Sequence, residues 1–99
     1  MQLDYAEREL ERQCTDERYM QRKLGAQVAK ALKLRIAELR YATEMQDLLL
    51  GTGRWEQLSG DRSGQWSARL TGNWRLIVQP DERDAHTVIV IEIVDYHGR

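Results

Sequence analysis

The sequence predicts an α+β fold in which N-terminal helices pack on a small antiparallel β-sheet. Two observations carry this prediction. Apolar residues recur at three- and four-residue steps in the first half of the 99-residue chain, and they alternate with polar residues in the second half. A chain of this length forms one domain, which we assign to residues 1–99. Its longest apolar run is far shorter than the about 20 residues that span a membrane.

The N-terminal segment is predicted to hold two short helices. Residues 5–14 are amphipathic, and Asp4 precedes them as an N-cap. Thr15 and Asp16 then mark a second start, since a short polar side chain accepts the backbone N–H bonds of a first helical turn. Gly25 is expected to interrupt or end this second helix, because glycine inside a helix costs about 1 kcal/mol relative to alanine.

A longer helix is predicted over residues 25–41. Its apolar residues form one stripe that should be buried, made of Val28, Ala31, Leu32, Ile36 and Leu39. A further short helix is predicted over residues 44–50. It begins where Thr43 and Gln46 have the spacing of a capping box, and it ends at Gly51.

The second half is predicted to form strands joined by short turns. The strands are placed at residues 54–58, 65–70, 74–78 and 87–94. The last of these is apolar on both faces except for Glu92, which is typical of a strand in the middle of a sheet. The two strands before it form a hairpin whose apolar faces match only when pairing is centred on Gly72.

This hairpin register sets Arg69 directly opposite Arg75. Like charges across a strand pair are unfavourable by about a few tenths of a kcal/mol. Guanidinium groups suit the geometry of phosphate, so the pair predicts an anion-binding site. The alternative is that both arginines extend into solvent or pair with an acid such as Asp95 or Glu56.

The formal net charge of −1 conceals an uneven distribution. Residues 18–40 hold seven basic residues and one acidic residue, while both ends of the chain are acidic. A local basic surface of this kind favours binding to a polyanion such as RNA, with Lys30 and Lys33 as candidate contacts. The alternative is an ordinary solvated helix face.

Asp95, Tyr96 and His97 directly follow the last predicted strand. Imidazole has an unperturbed pKa of about 6.5, so His97 can accept or donate a proton near neutral pH. A histidine near a chain end is often an exposed bystander, and that alternative stays open. Because His86 is distant in sequence and Cys14 is the only cysteine, no metal-ligand spacing exists and no cofactor is expected.

Three blocks of this sequence resemble the HigB toxins of the RelE superfamily, first described as plasmid maintenance killer proteins. They are GDRSGQWS at residues 60–67, GNWRLI at residues 72–77 and EIVDYH at residues 92–97. The resemblance implies the RelE-like fold and a toxin of a type II toxin–antitoxin system. Such toxins are metal-independent endoribonucleases that cleave translated mRNA at the ribosomal A site. A HigA-like helix-turn-helix antitoxin would be the partner, and the cytoplasm the expected location, since the N-terminus lacks a signal-peptide pattern.

The resemblance also implies roles for individual residues. Arg75 would hold the scissile phosphate, and His97 would act as general acid or base. Tyr96 would position the substrate or stack on it, and Asp95 would orient a neighbour. Further contacts with the RNA backbone are assigned to Arg69 and Arg62.

Two positions depart from the family pattern. Some relatives carry a histidine just before the glycine-bounded turn and a lysine within it, at the positions aligned with Glu56 and Ser59 of this chain. Glu56 could replace the missing base, since a carboxylate beside arginines stays ionised, or it could form a salt bridge. The departure leaves a second function open, that of a weak or inactive homologue retained as an antitoxin-binding corepressor.

Overall fold

The computed structural model describes residues 1–96 and confirms the α+β class. Its strands are β1 (Gln2–Tyr5), β2 (Glu56–Gln57), β3 (Trp66–Arg69), β4 (Trp74–Pro80) and β5 (Thr87–Asp95). Its α-helices are α1 (Arg8–Thr15), α2 (Glu17–Leu24) and α3 (Ala26–Tyr41), and two 3₁₀ helices span Met45–Leu50 and Gly60–Arg62. Within residues 1–96, no helix has the length and apolar character needed to span a membrane.

The five strands form one mixed sheet in the order β1-β5-β4-β3-β2. The strands β2 to β5 pair antiparallel as predicted, whereas β1 pairs parallel to β5. The expected N-cap role of Asp4 is wrong, because Asp4 lies inside β1 and α1 begins after Glu7. Four residues are too few to show a reliable alternation, and pairing with the far end of the chain overrides the local helical signal.

The other helix boundaries follow local signals. Asp16 caps α2, since its Oδ1 accepts a hydrogen bond from the backbone N–H of Tyr19 at 3.1 Å. Gly25 separates α2 from α3 with a φ of +84°, a left-handed conformation that glycine adopts without strain. The capping box predicted from Thr43 and Gln46 is wrong in its residues, because Glu44 and Asp47 form the one that precedes the 3₁₀ helix Met45–Leu50. Asp47 Oδ2, rather than Gln46, accepts the backbone N–H bond of Glu44 at 3.1 Å.

The core lies between the helices and one face of the sheet. The predicted stripe of α3 supplies Leu32 and Leu39, which are fully buried. From the sheet, these residues are joined in one core cluster by Ala68, Leu76, Val78, Val88 and Val90. Strand alternation therefore turns a second set of residues away from the helices. We call this side of the sheet the outer face; it carries Glu56, Ser67, Arg69, Arg75, Ile77 and Glu92.

Candidate active site on the outer face of the sheet

The hairpin of β3 and β4 has the predicted register. Arg69 pairs with Arg75, and Ala68 pairs with Leu76 on the core side. The Nη1 atom of Arg75 donates to the carbonyl oxygens of Thr71 at 2.8 Å and of Trp74 at 2.9 Å. The Arg75 guanidinium is therefore held against its own hairpin turn. Within residues 1–96, backbone carbonyls of the turn accept its hydrogen bonds.

Tyr96 lies beside this guanidinium. The Cζ atom of Arg75 is 5.5 Å from the centroid of the Tyr96 ring, within the range of a cation–π interaction. The backbone N–H of Tyr96 donates to the carbonyl of Asn73 at 2.8 Å, which fixes the chain just after β5 to the hairpin turn. The structure thus brings the tyrosine of the C-terminal cluster to the arginine pair.

The other two members of the C-terminal cluster are placed differently. Asp95 pairs in register with Trp74, a residue that packs against the core. Strand alternation therefore sets Asp95 at the same end of the sheet as Tyr96 but on the opposite face from Arg75. His97 lies outside the described residues.

Arg62 reaches the outer face from the loop between β2 and β3. Its Nη2 donates to Glu92 Oε1 at 2.5 Å, and its Nη1 donates to Gln65 Oε1 at 2.8 Å. Glu92 is paired with Ile77, which is fully buried although it faces away from the helices. Along β5, Glu92 is two residues from Val94, the cross-strand partner of Arg75. The ion pair is therefore displaced from Arg75 by about 7 Å along the strands.

Glu56 and Ser59 lie at the edge of this surface. Glu56 is exposed in β2 and pairs with Ser67, so its side chain is on the outer face. Ser59 is exposed and precedes the 3₁₀ helix Gly60–Arg62. A carboxylate therefore lies on the same side of the sheet as Arg69, a position compatible with both roles considered from the sequence, a replacement base and a salt-bridge partner.

The basic residues of α3 lie elsewhere. This helix packs on the core side of the sheet, so Lys30 and Lys33 are separated from the arginine pair by the sheet itself. Lys33 is also ion-paired, with its Nζ 2.6 Å from Glu17 Oε1. Arg35, one of the seven bases in the basic stretch, is buried and lies beside Glu38. The predicted RNA contacts therefore do not form one continuous surface.

Sequence reasoning missed the neighbours of Arg62. Gln65, Gln79 and Glu92 form a polar group on the outer face, in which Gln65 Nε2 is 3.5 Å from Gln79 Oε1. The available signal was Glu92, the only charged residue within the apolar run of residues 87–94. Within residues 1–96, no three histidine, cysteine or acidic residues are grouped closely enough to hold a metal ion.

Known proteins resemble this chain both in sequence and in fold. The family model described as the RelE-like toxin HigB of type II toxin–antitoxin systems matches residues 3–97. The chain is 32% identical over 72 residues to "Endoribonuclease HigB" of Proteus vulgaris, which covers 73% of this chain and 75% of that protein.

Solved structures with the same fold include the YoeB/ParE toxin from Agrobacterium tumefaciens. Its TM-score is 0.68 at 20% identity, and the match covers 98% of this chain and 100% of that one. The YoeB-YefM complex from Staphylococcus aureus has a TM-score of 0.65 at 18% identity, with 98% and 97% covered. At these identities the structures support the fold alone.

Proposed function

Because the chain belongs to the HigB-like family of RelE-like toxins from type II toxin–antitoxin systems, we propose that it cleaves mRNA on the ribosome and so inhibits translation. The relative in Proteus vulgaris carries the name of an endoribonuclease. The observation that carries the proposal is the cross-strand pair of Arg69 and Arg75 beside Tyr96 on the outer face. Two guanidinium groups on one surface can hold an RNA phosphate, and the aromatic ring offers a surface on which a base can stack.

The proposed chemistry is a transfer within the RNA strand. The 2′-hydroxyl oxygen attacks the adjacent phosphorus, the bond from phosphorus to the 5′-oxygen breaks, and a cyclic phosphate and a 5′-hydroxyl form. Arg75 would stabilise the negative charge that develops on the phosphate oxygens in the transition state. Its hydrogen bonds to the hairpin carbonyls favour this role, because a guanidinium that is already positioned needs little reorganisation during the reaction.

Two proton transfers accompany this step, and neither needs a metal ion. We assign the general acid or base to His97, which follows Tyr96 in the chain. Tyr96 would position the nucleotide, and Asp95 would orient a neighbouring group. Glu56 is the alternative base, since it is exposed on the face that carries Arg69.

The remaining predicted contacts have separate roles in the proposal. Arg62 would contact the RNA backbone next to the scissile phosphate. Lys30 and Lys33, on the other side of the sheet, would contact a different stretch of RNA on the ribosome. The neutralising partner would be a HigA-like helix-turn-helix antitoxin, and the YoeB-YefM complex is a precedent for a toxin of this fold with a bound partner. The chain would meet both the antitoxin and the ribosome in the cytoplasm.

The test is cleavage of a translated message in a cell-free extract, with 5′ ends mapped by primer extension. Arg75→Ala should reduce cleavage about 100-fold or more, the usual cost of removing one preorganised donor. His97→Ala should reduce it as strongly. Arg83→Ala is the matched control, since Arg83 is exposed in the loop between β4 and β5. Equal cleavage by the Arg75 variant, or equal cleavage of untranslated RNA, would contradict the proposal.

A second candidate function is favoured by Glu56 and Ser59, which stand where some relatives carry a histidine and a lysine. Without these groups the chain could be a nuclease too weak or inactive to cleave in a translating extract, and could serve instead as an antitoxin-binding corepressor. This candidate requires tight antitoxin binding together with no cleavage in the translating extract. Any Arg75-dependent cleavage there rules it out.

A further inference from the structure

The stretch 71–74, which leads from the turn after β3 into β4, holds two parts of the proposed site. Three of its carbonyl oxygens accept hydrogen bonds from Nη1 of Arg75. They belong to Thr71, Gly72 and Trp74, at 2.8, 3.2 and 2.9 Å respectively. The remaining carbonyl, that of Asn73, accepts the backbone N–H of Tyr96 at 2.8 Å. The guanidinium and the residue whose ring lies 5.5 Å from it are therefore both attached to this stretch.

The conformation of this stretch depends on hydrogen bonds. None of residues 71–74 has a positive φ, so no left-handed glycine forces the chain to turn here. Its first and last residues are joined instead through a side chain, because the half-buried Thr71 accepts the backbone N–H of Trp74 on Oγ1 at 3.2 Å. A threonine hydroxyl that bonds to nearby backbone stabilises a turn. The carbonyl of the same threonine is one of the three that hold Arg75.

We propose that Thr71 is a positioning residue, whose hydroxyl keeps the stretch 71–74 in the conformation that places Arg75 and Tyr96 at the scissile phosphate. The inference rests on the proposed function, in which Arg75 stabilises the charge that develops on the phosphate. A preorganised donor is effective because it needs no reorganisation during the reaction. Loss of the hydroxyl should therefore slow cleavage although every side chain with a role in the chemistry is still present.

Two substitutions of Thr71 separate the hydroxyl from the rest of the side chain. Thr71→Val removes the hydroxyl with little change in shape, and Thr71→Ser retains it. In the translating extract, Thr71→Val should slow single-turnover cleavage about fivefold or more, which corresponds to the loss of one neutral hydrogen bond. Thr71→Ser should cleave within about twofold of wild type, because the acceptor for the Trp74 N–H is kept.

Thr87→Val is the matched control. The hydroxyl of Thr87 also stabilises a loop, since it donates to Asp84 Oδ2 at 2.9 Å between β4 and β5. Thr87 begins β5, whereas Tyr96 follows the other end of that strand. Thermal unfolding should show similar losses of stability for Thr87→Val and Thr71→Val. Cleavage by the control should nevertheless stay within about twofold of wild type.

NMR spectra of the free chain provide a readout that does not depend on cleavage. The Nε–H signal of Arg75 reports on the guanidinium, and hydrogen exchange of the Tyr96 amide reports on its bond to the turn. Thr71→Val should shift the Arg75 signal and accelerate exchange at Tyr96 about fivefold or more. Thr71→Ser and Thr87→Val should leave both close to wild type.

The inference is overturned if Thr71→Val cleaves within about twofold of wild type, or if Thr71→Ser or Thr87→Val is equally slow. Unchanged NMR signals of Arg75 and Tyr96 in Thr71→Val would overturn it as well. A wild-type chain that leaves translated messages intact would contradict the proposed function instead. In that case the NMR comparison still decides whether Thr71 holds the two residues in place.

Discussion

Two arginine–glutamate pairs in this fold lie in different surroundings. The side chains of Arg35 and Glu38 are 10% and 23% exposed, whereas those of Arg62 and Glu92 are both 37% exposed. Glu38 Oε1 lies 3.3 Å from Arg35 Nε and also accepts a hydrogen bond from Trp55 Nε1 at 3.0 Å. The first pair is thus part of a packed cluster, and the second pair lies across an open surface.

The difference in exposure distinguishes a structural ion pair, Arg35 with Glu38, from a pair that can exchange its partner, Arg62 with Glu92. Gly53 packs directly on the buried pair, and its carbonyl accepts the backbone N–H of Arg69 at 2.9 Å. The buried pair therefore connects α3 to the end of β3, where the proposed site begins. In the half-exposed pair, solvent screens the attraction. In the proposed function, an RNA phosphate would therefore replace Glu92 as the partner of Arg62 at little cost.

The largest expected effect on stability tests this contrast directly. Glu38→Ala should lower the free energy of unfolding by about 3 kcal/mol, because it leaves the Arg35 charge buried and uncompensated. The matched change Glu92→Ala should cost less than about 1 kcal/mol. Urea unfolding of both variants measures the two values. Equal losses would show that burial does not distinguish the pairs.

A glycine substitution tests how tightly the buried cluster is packed. A Cβ atom at Gly53 would lie 2.5 Å from Arg35 Nη1 and 2.6 Å from Trp55 Nε1. Gly53→Ala should therefore destabilise the fold by about 2 kcal/mol, within the usual range for overpacking. At Gly72 a Cβ atom would meet nothing within 4 Å. Thermal unfolding of Gly72→Ala should show a much smaller change, and a comparable shift there would contradict the packing argument.

A smaller effect on stability should accompany a functional effect at the half-exposed pair. Arg62→Ala should change the free energy of unfolding by less than about 1 kcal/mol. For RNA binding, the slope of log affinity against log salt concentration should become shallower by about one, which corresponds to the loss of one phosphate contact. Titrations at several salt concentrations measure that slope. If Arg62 served only as a partner of Glu92, the slope would stay at the wild-type value.

The smallest effect at neutral pH concerns the buried thiol of Cys14. Burial raises the pKa of the Cys14 thiol to about 12 from the ordinary value of 9.0. The folded chain therefore favours the neutral thiol, and stability contributed by this group is lost as the pH rises above about 9. Cys14→Ala should remove that part of the alkaline slope in unfolding experiments. The native thiol should also react slowly with a thiol reagent at pH 8, and fast modification of the folded chain would contradict its burial.

Local patterns in the sequence were sufficient for a large part of the fold. The stripe of α3 with Leu32 and Leu39 follows from helical periodicity, because an amphipathic helix has one stable way to face a core. The register that sets Arg69 opposite Arg75 follows from the hairpin, since a shift by one residue would turn every apolar side chain to the wrong face. The cross-strand arginine pair was therefore predictable without coordinates.

Contacts between distant segments were beyond the reach of the sequence. The parallel pairing of β1 with β5 joins opposite ends of the chain, and no local period in residues 2–5 encodes that partner. The contact of Arg62 with Glu92 depends on how the loop before β3 crosses the outer face. Periodicity and turn chemistry act between near neighbours along the chain, so they determined the helices and the hairpin. Only the packed tertiary structure decided which charges are buried, which are paired and which share a face.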